Sequence, residues 1–241
     1  MDCGTHGDGA SFAINPFAKD NSRAAIRIRK KVPGLNLDSK TMKTIHILEI
    51  ETGNEAHAIR ACAECWGCAV TVSWCGNASQ IVDYLSSRPA HDLIIISGHG
   101  DTSGLLLPVL HETLQDKHPY ATRISPGQFR EFVNLAGSTV LNLSCESGRE
   151  LFAEAFLSCG AGFYLGPLGS PDGSDALMYA LEFLHAFSVG GASIADAHML
   201  AADHSDDRSL FRLYGIKPGE LHSVAGTVHT PYPSAKIAGN A

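Results

Sequence analysis

The sequence predicts a doubly wound α/β domain: a mostly parallel six-stranded sheet with helices on both faces. Three observations lead there. From residue 43 onward, strand-like and helix-like segments alternate, the order that joins parallel strands through helical crossovers. Several strand candidates, such as DLIIIS at 92–97, are apolar without alternation, as expected when both sheet faces are covered. The chain has 241 residues, 44% of them hydrophobic, enough to bury a large core in one domain or two small ones.

Taken in order, TIHILEI at 44–50 predicts the first strand and residues 55–66 the first helix, with Ala58, Ile59, Cys62 and Cys65 near one face. AVTVSW at 69–74, rich in β-branched residues, predicts a second strand. Residues 79–87 predict a short helix and 92–97 the third strand. Segments 104–110 and 120–124 predict a small side hairpin around a polar loop. Ser125-Pro126 opens a helix to Val133, Ser125 as cap and Pro126 at the first helical position. STVLNLS at 138–144 predicts the fourth strand. Residues 149–157 predict a helix with Leu151, Phe152, Ala155 and Phe156 on one buried face, ended near Gly160. GFYLG at 162–166 is the fifth strand. Helices follow over 174–189 and 193–202, and LFRLYG at 210–215 is the sixth strand. Residues 1–42, with small polar residues and a basic run at 23–31, predict an extension outside a domain at 43–225; residues 226–241 predict a tail.

Composition removes several function classes. Lys plus Arg is 18 and Asp plus Glu is 25, a net charge of -7, so no global cationic field exists for nucleic acid. Charged residues at 18% argue against a disordered or coiled-coil chain. The apolar runs are too short to span a bilayer, so no membrane partner is expected. Seven cysteines, an odd and clustered set, and no basic-then-apolar start over residues 1–20 together predict a reducing, cytoplasmic location.

Chemistry concentrates at two strand exits. The third strand ends in Ser97-Gly98-His99-Gly100-Asp101, the fourth in Ser144-Cys145-Glu146-Ser147-Gly148. In doubly wound sheets reactive groups gather at the carboxyl ends of the strands. If these two strands are neighbours, about 4.8 Å apart, His99 and Cys145 can meet above the sheet. A thiol needs an imidazole or a helix N-terminus nearby to become nucleophilic. The helix after Cys145 is expected to point its N-terminus at the sulfur. The backbone N–H groups of Gly100 and Cys145 are candidate donors to an oxyanion.

An apolar strand followed by Ser-Gly-His-Gly, then a second followed by Ser-Cys-Glu-Ser-Gly, resembles the clan CD cysteine peptidases. These share the caspase-like fold of caspases, legumain, gingipain, separase and CHAT domains. VLNLSCESG at 140–148 looks most like the CHAT and legumain patterns, and GHGDTSGLLLP at 98–108 is similar to the legumain stretch. Residues 152–167, the run from Asp175 to Ala201, and Leu213-Tyr214-Gly215 resemble the CHAT carboxyl-terminal half, so the likeness covers 43–224. The resemblance implies a caspase-like doubly wound fold and a cysteine endopeptidase. Cys145 matches the nucleophile, His99 the histidine that protonates the leaving amine, Gly100 the oxyanion donor, and Glu146 a residue lining the first specificity pocket. Ser144 stands where CHAT domains often carry Ala, and Leu168-Gly169-Ser170-Pro171-Asp172 lacks the Trp often found there. The implied partners are a polypeptide substrate and a separate regulatory protein subunit. No cofactor is required. The alternative is a catalytically inactive caspase-like binding or regulatory module.

Other constellations carry less. Cys62, Cys65 and Cys68 have a spacing that can hold zinc, but no fourth ligand stands out, and buried or idle thiols are the expectation, with no metal site. His198 and His204 lie off a common helix face. Asp203, Asp206 and Asp207 lack a calcium-loop pattern.

Overall fold

The computed structural model describes residues 42–86, 91–111, 122–135 and 137–215. The expected extension, apart from Met42, and the expected tail lie outside these residues, as do most of the 111–119 loop and the start of the predicted 120–124 segment. The elements are β1 (Thr44–Glu49), α1 (Gly53–Cys65), β2 (Ala69–Trp74), α2 (Ala78–Ser86) and β3 (Leu93–Ser97). There follow β4 (Gly100–Asp101), β5 (Gly104–Leu106), β6 (Arg123–Ile124), α3 (Pro126–Phe132), β7 (Thr139–Asn142) and α4 (Glu150–Ser158). The chain continues through β8 (Phe163–Pro167), α5 (Gly173–Ser188), α6 (Ile194–Ala202), a short 3-10 turn (Arg208–Leu210) and β9 (Phe211–Gly215).

The main sheet has six strands in the order β2-β1-β3-β7-β8-β9. All pairs are parallel except the last, in which β9 runs antiparallel to β8. Two successive helices, α5 and α6, separate β8 from β9. A single crossover helix returns the chain parallel; a second one reverses it. The sheet is mostly parallel with helices on both faces, as the sequence predicts.

Strand parity explains the layers. Alternate residues point to opposite faces. Leu48, Ile94, Ile96, Val140, Tyr164 and Tyr214 face one core, with Ile81 of α2, Phe129 of α3 and Phe152 and Phe156 of α4. Ile45, Ile47, Leu93, Ile95, Leu141, Leu165 and Leu213 face the other, with Ile59 of α1, Tyr179 and Phe183 of α5 and Ala197 and Ala201 of α6. Both faces being covered removes the polar alternation from β3.

Local chemistry sets the helix starts. The Ser125 N–H and hydroxyl both donate to Gln128 Oε1, at 2.6 and 2.9 Å, ahead of Pro126. Asp172 accepts from the Ser174 N–H, and Ser193 from the Asp196 N–H. No helix among the described residues is long and apolar enough to cross a membrane.

Three expectations need correction. The side hairpin is a three-stranded antiparallel ribbon, β4-β5-β6, and it begins at Gly100, inside the histidine motif. The buried stripe of α1 runs through Ala56, Ile59 and Ala63, leaving Cys65 exposed and Cys62 half-buried. In α4 the buried face runs through Phe152, Ala153, Ala155 and Phe156, and Leu151 lies off it, 62% exposed.

His198 of α6 is buried, its Nδ1 2.7 Å from the Tyr179 hydroxyl of α5. Burial, then the nearby Arg212 charge on β9, lower its pKa to about 4 from 6.5. Between those pH values the unfolded chain binds a proton that the folded one refuses. The stability carried by the neutral imidazole is therefore whole above pH 6.5 and is lost as pH falls toward 4. Urea titrations across this window should show a fall of a few kcal/mol, and His198→Gln should flatten that part of the profile.

Candidate active site

From β1 the chain moves to β2 on one side; from β3 it moves to β7 and β8 on the other. The gap between β1 and β3 is the switch point, and the crevice above it is where such sheets bind ligands. β3 pairs directly with β7, Ile96 opposite Asn142, so the chain leaves both strands at the same level. The exits predicted to carry the chemistry are neighbours. His99 lies just past β3 and is exposed; Cys145 lies just past β7 and is a half-buried free thiol.

The Cys145 turn is held through its backbone N–H groups. The Leu143 N–H donates to the Ile96 carbonyl at 2.9 Å and the Ser144 N–H to Asn142 Oδ1 at 3.0 Å. The Glu146 N–H donates to Gly169 O at 2.7 Å, Ser147 to Ser144 O at 3.3 Å, and Gly148 to Pro167 O at 2.7 Å. Between Leu143 and Gly148, only the Cys145 N–H donates to none of the described residues. Glu146 sits at φ 61, a left-handed conformation uncommon for a residue with a side chain. Its carboxylate accepts from Arg149 Nε at 2.9 Å, so the candidate specificity residue is already paired with a cation.

Two buried tyrosines and an asparagine hold the turn from below. Asn142 Nδ2 donates to the Tyr164 hydroxyl at 3.2 Å, and that hydroxyl donates to Ser147 O at 2.8 Å. The Tyr214 hydroxyl donates to Gly148 O at 2.6 Å. Burial drives the Tyr164 pKa upward, which keeps its hydroxyl a neutral donor. The sequence reading missed these three residues. The available signal was an Asn amid the apolar residues of a predicted buried strand. The expected placing of a helix N-terminus at the sulfur also needs correction: residues 145–148 form turns, and α4 opens only at Glu150 with Arg149 as its cap.

The histidine loop packs on this turn backbone to backbone. A Cβ on Gly100 would lie 2.7 Å from the Cys145 carbonyl oxygen and 2.9 Å from Ser144 Cβ, so only glycine allows the approach. The His99 carbonyl accepts from the Leu106 N–H at 2.9 Å. Antiparallel pairs alternate between hydrogen-bonded and open, so Gly100, opposite Leu105, occupies an open pair. Its N–H therefore points away from β5. Asp101 accepts from the Ser103 and Gly104 N–H groups and pairs with Arg123 of β6, fixing the start of the ribbon. No hydrogen bond joins the Cys145 thiol to the His99 imidazole.

Beneath the histidine loop, Ser97 Oγ contacts Thr52 Oγ1 and donates to Glu55 Oε1 at 3.1 Å. Glu49 accepts from the Thr52 N–H at 2.5 Å. Burial raises the Glu55 pKa, while its Ser97 hydrogen bond opposes that shift. These contacts tie the start of α1 to the carboxyl ends of β1 and β3. Away from the crevice, Cys62 is half-buried, Cys65 exposed and Cys68 buried. No group of three or more His, Cys, Asp or Glu side chains among the described residues is placed to hold a metal ion.

No protein-family model matches the chain, and no curated protein matches it by sequence. Solved structures with a remote likeness do exist. The crystal structure of the Arg-specific cysteine proteinase gingipain R (RgpB) aligns at TM-score 0.48 and 8% identity, over 69% of this chain and 44% of that one. The complex of Porphyromonas gingivalis RgpB pro- and mature domains aligns at TM-score 0.45 and 9% identity, over 70% and 45%. The Saccharomyces cerevisiae separase–securin complex aligns at TM-score 0.48 and 14% identity, over 72% of this chain and 12% of that one. This chain thus spans less than half the length of each.

The Gly100 contact gives a direct test. Gly100→Ala should cost about 1–3 kcal/mol in urea unfolding, because its methyl group meets backbone rather than a movable side chain. It should also slow alkylation of Cys145 by a peptidyl electrophile, measured by intact mass.

Proposed function

We propose that this chain is a cysteine endopeptidase of caspase-like fold. The observation that carries the reading is the pair of uncommitted backbone donors at the carboxyl ends of β3 and β7: the Cys145 N–H, alone among its neighbours, and the Gly100 N–H, turned away from its ribbon partner. Both belong to segments in backbone contact. Two N–H groups beside a half-buried thiol form the arrangement that stabilises the oxyanion of acyl transfer. Cys145 gives its thiol proton to His99 by way of solvent, Sγ attacks the scissile carbonyl carbon, and the oxygen's developing charge is held by those donors. The carbon–nitrogen bond breaks as His99 gives a proton to the departing amine. Water then adds to the thioester, the carbon–sulfur bond breaks, and the acid product leaves with the thiol restored.

Finer parts of the proposal rest on the motif resemblance. They are a CHAT- or legumain-like subfamily, Glu146 beside the first specificity pocket and a separate regulatory subunit; residence in a reducing compartment such as the cytoplasm rests instead on the odd, clustered cysteines. A second reading, a non-hydrolytic caspase-like module, draws support from the missing hydrogen bond between Cys145 and His99.

Reaction with a positional library of peptidyl acyloxymethyl ketones separates the two. The peptidase reading expects a single mass addition, lost in Cys145→Ala. It also expects amide turnover reduced about 10²–10⁴-fold in His99→Ala. Absence of both labelling and turnover across the library leaves the non-hydrolytic module.

A further inference from the structure

We infer that Asn142 and Tyr164 are positioning residues that fix the direction of the Cys145 N–H at the carboxyl end of β7; their catalytic consequence rests on the peptidase reading above. The two side chains lie on one sheet face, because Val140, Asn142, Tyr164 and Tyr214 share the parity that points into the core beneath α2, α3 and α4. The same face also buries His46 and Ser73, paired at 2.8 Å on β1 and β2 across β3 from Asn142, and Tyr164 stacks on Phe156 with ring centroids 4.9 Å apart. Asn142 and Tyr164 are both fully buried.

Packing alone does not explain this pair. Burying an amide and a phenol costs free energy unless each is hydrogen-bonded, and an apolar pair of similar shape serves a core as well or better. Leu at 142 and Phe at 164 would suit the cluster that already holds Leu48, Ile96 and Phe156. What the polar pair adds is contact with the turn. Asn142 Oδ1 takes the Ser144 N–H on one side of Cys145, and the Tyr164 hydroxyl holds Ser147 O on the other. The Asn142 Nδ2 bond to that hydroxyl joins the two grips into one brace. Ser144 O, which accepts from the Ser147 N–H, belongs to the same peptide unit as the Cys145 N–H. Holding Ser144 and Ser147 therefore fixes the plane of that peptide and the direction in which its N–H points. A misplacement of about 1 Å at such a donor is enough to cost about 10²-fold in rate.

Two variants test the brace. Tyr164→Phe removes one hydroxyl, and Asn142→Leu combined with Tyr164→Phe removes the polar pair while keeping the core filled. Three readouts are taken on the full chain: thermal melting, amide hydrogen exchange over residues 143–148, and the rates of Cys145 alkylation by iodoacetamide and by a peptidyl acyloxymethyl ketone. Expected are a cooperative transition that persists with its melting temperature lowered by several degrees, because the Ser144 N–H and Ser147 O lose their partners, and exchange accelerated tenfold or more at 143–148 beyond any rise elsewhere. The ketone reaction should slow by a similar factor while the iodoacetamide rate is unchanged. Unchanged exchange at 143–148 in both variants overturns the brace, as does exchange that rises evenly through the whole sheet. A parent that reacts with iodoacetamide but with no peptidyl ketone defeats the peptidase reading alone, and the exchange data still judge the brace.

Discussion

Two turns meet at the carboxyl edge of the sheet where one of them is glycine, and the rest of the site depends on that contact. Gly100 backs onto the Cys145 carbonyl, and Gly148 backs onto the Gly166 carbonyl and Pro167, where a Cβ would lie 2.4 Å from the oxygen. A parallel sheet fixes the spacing of its strands but not the path of the chain once it leaves them. Here the path is set by backbone pressed on backbone, which glycine alone permits. The histidine loop, the cysteine turn and the exit of β8 thus become one unit.

The sheet and its layers were largely legible in the sequence, because a covered parallel strand has an unmistakable composition. LIII at 93–96 and the β-branched run at 70–72 leave little alternative. The side ribbon was misread at its start. Gly100-Asp101 has no strand propensity of its own, and it pairs because Asp101 gathers the Ser103 and Gly104 N–H groups and Arg123. Spacing alone puts Leu151 and Cys65 on buried faces, because spacing is blind to where a helix rests on its sheet; both are exposed. The antiparallel direction of β9 is written only in the two consecutive helices before it, not in its own composition.

At the candidate site, the adjacency of the two strand exits that carry His99 and Cys145 was legible, because each ends an apolar strand within a glycine-containing motif. The expected helix N-terminus at the sulfur was not found. Glu146 takes a left-handed conformation, and four turn residues intervene before α4 opens. Charge stabilisation near Cys145 is thereby left to individual N–H groups rather than to a helix end. That raises the demand on their geometry, since a lone donor has none of the summed field of a helix terminus.

The supports of the cysteine turn show how that demand is met. Any turn at the top of a closed core exposes its backbone polar groups to an apolar layer beneath, and each must find a partner. This one finds Asn142 Oδ1 for Ser144, the Tyr164 hydroxyl for Ser147 and the Tyr214 hydroxyl for Gly148. Residues far apart in the chain deliver these groups from β7, β8 and β9, three strands adjacent in the sheet. The order of the strands therefore does more than bring His99 near Cys145. It also gathers three polar side chains under one turn, and so converts a property of the whole fold into the direction of a single N–H bond.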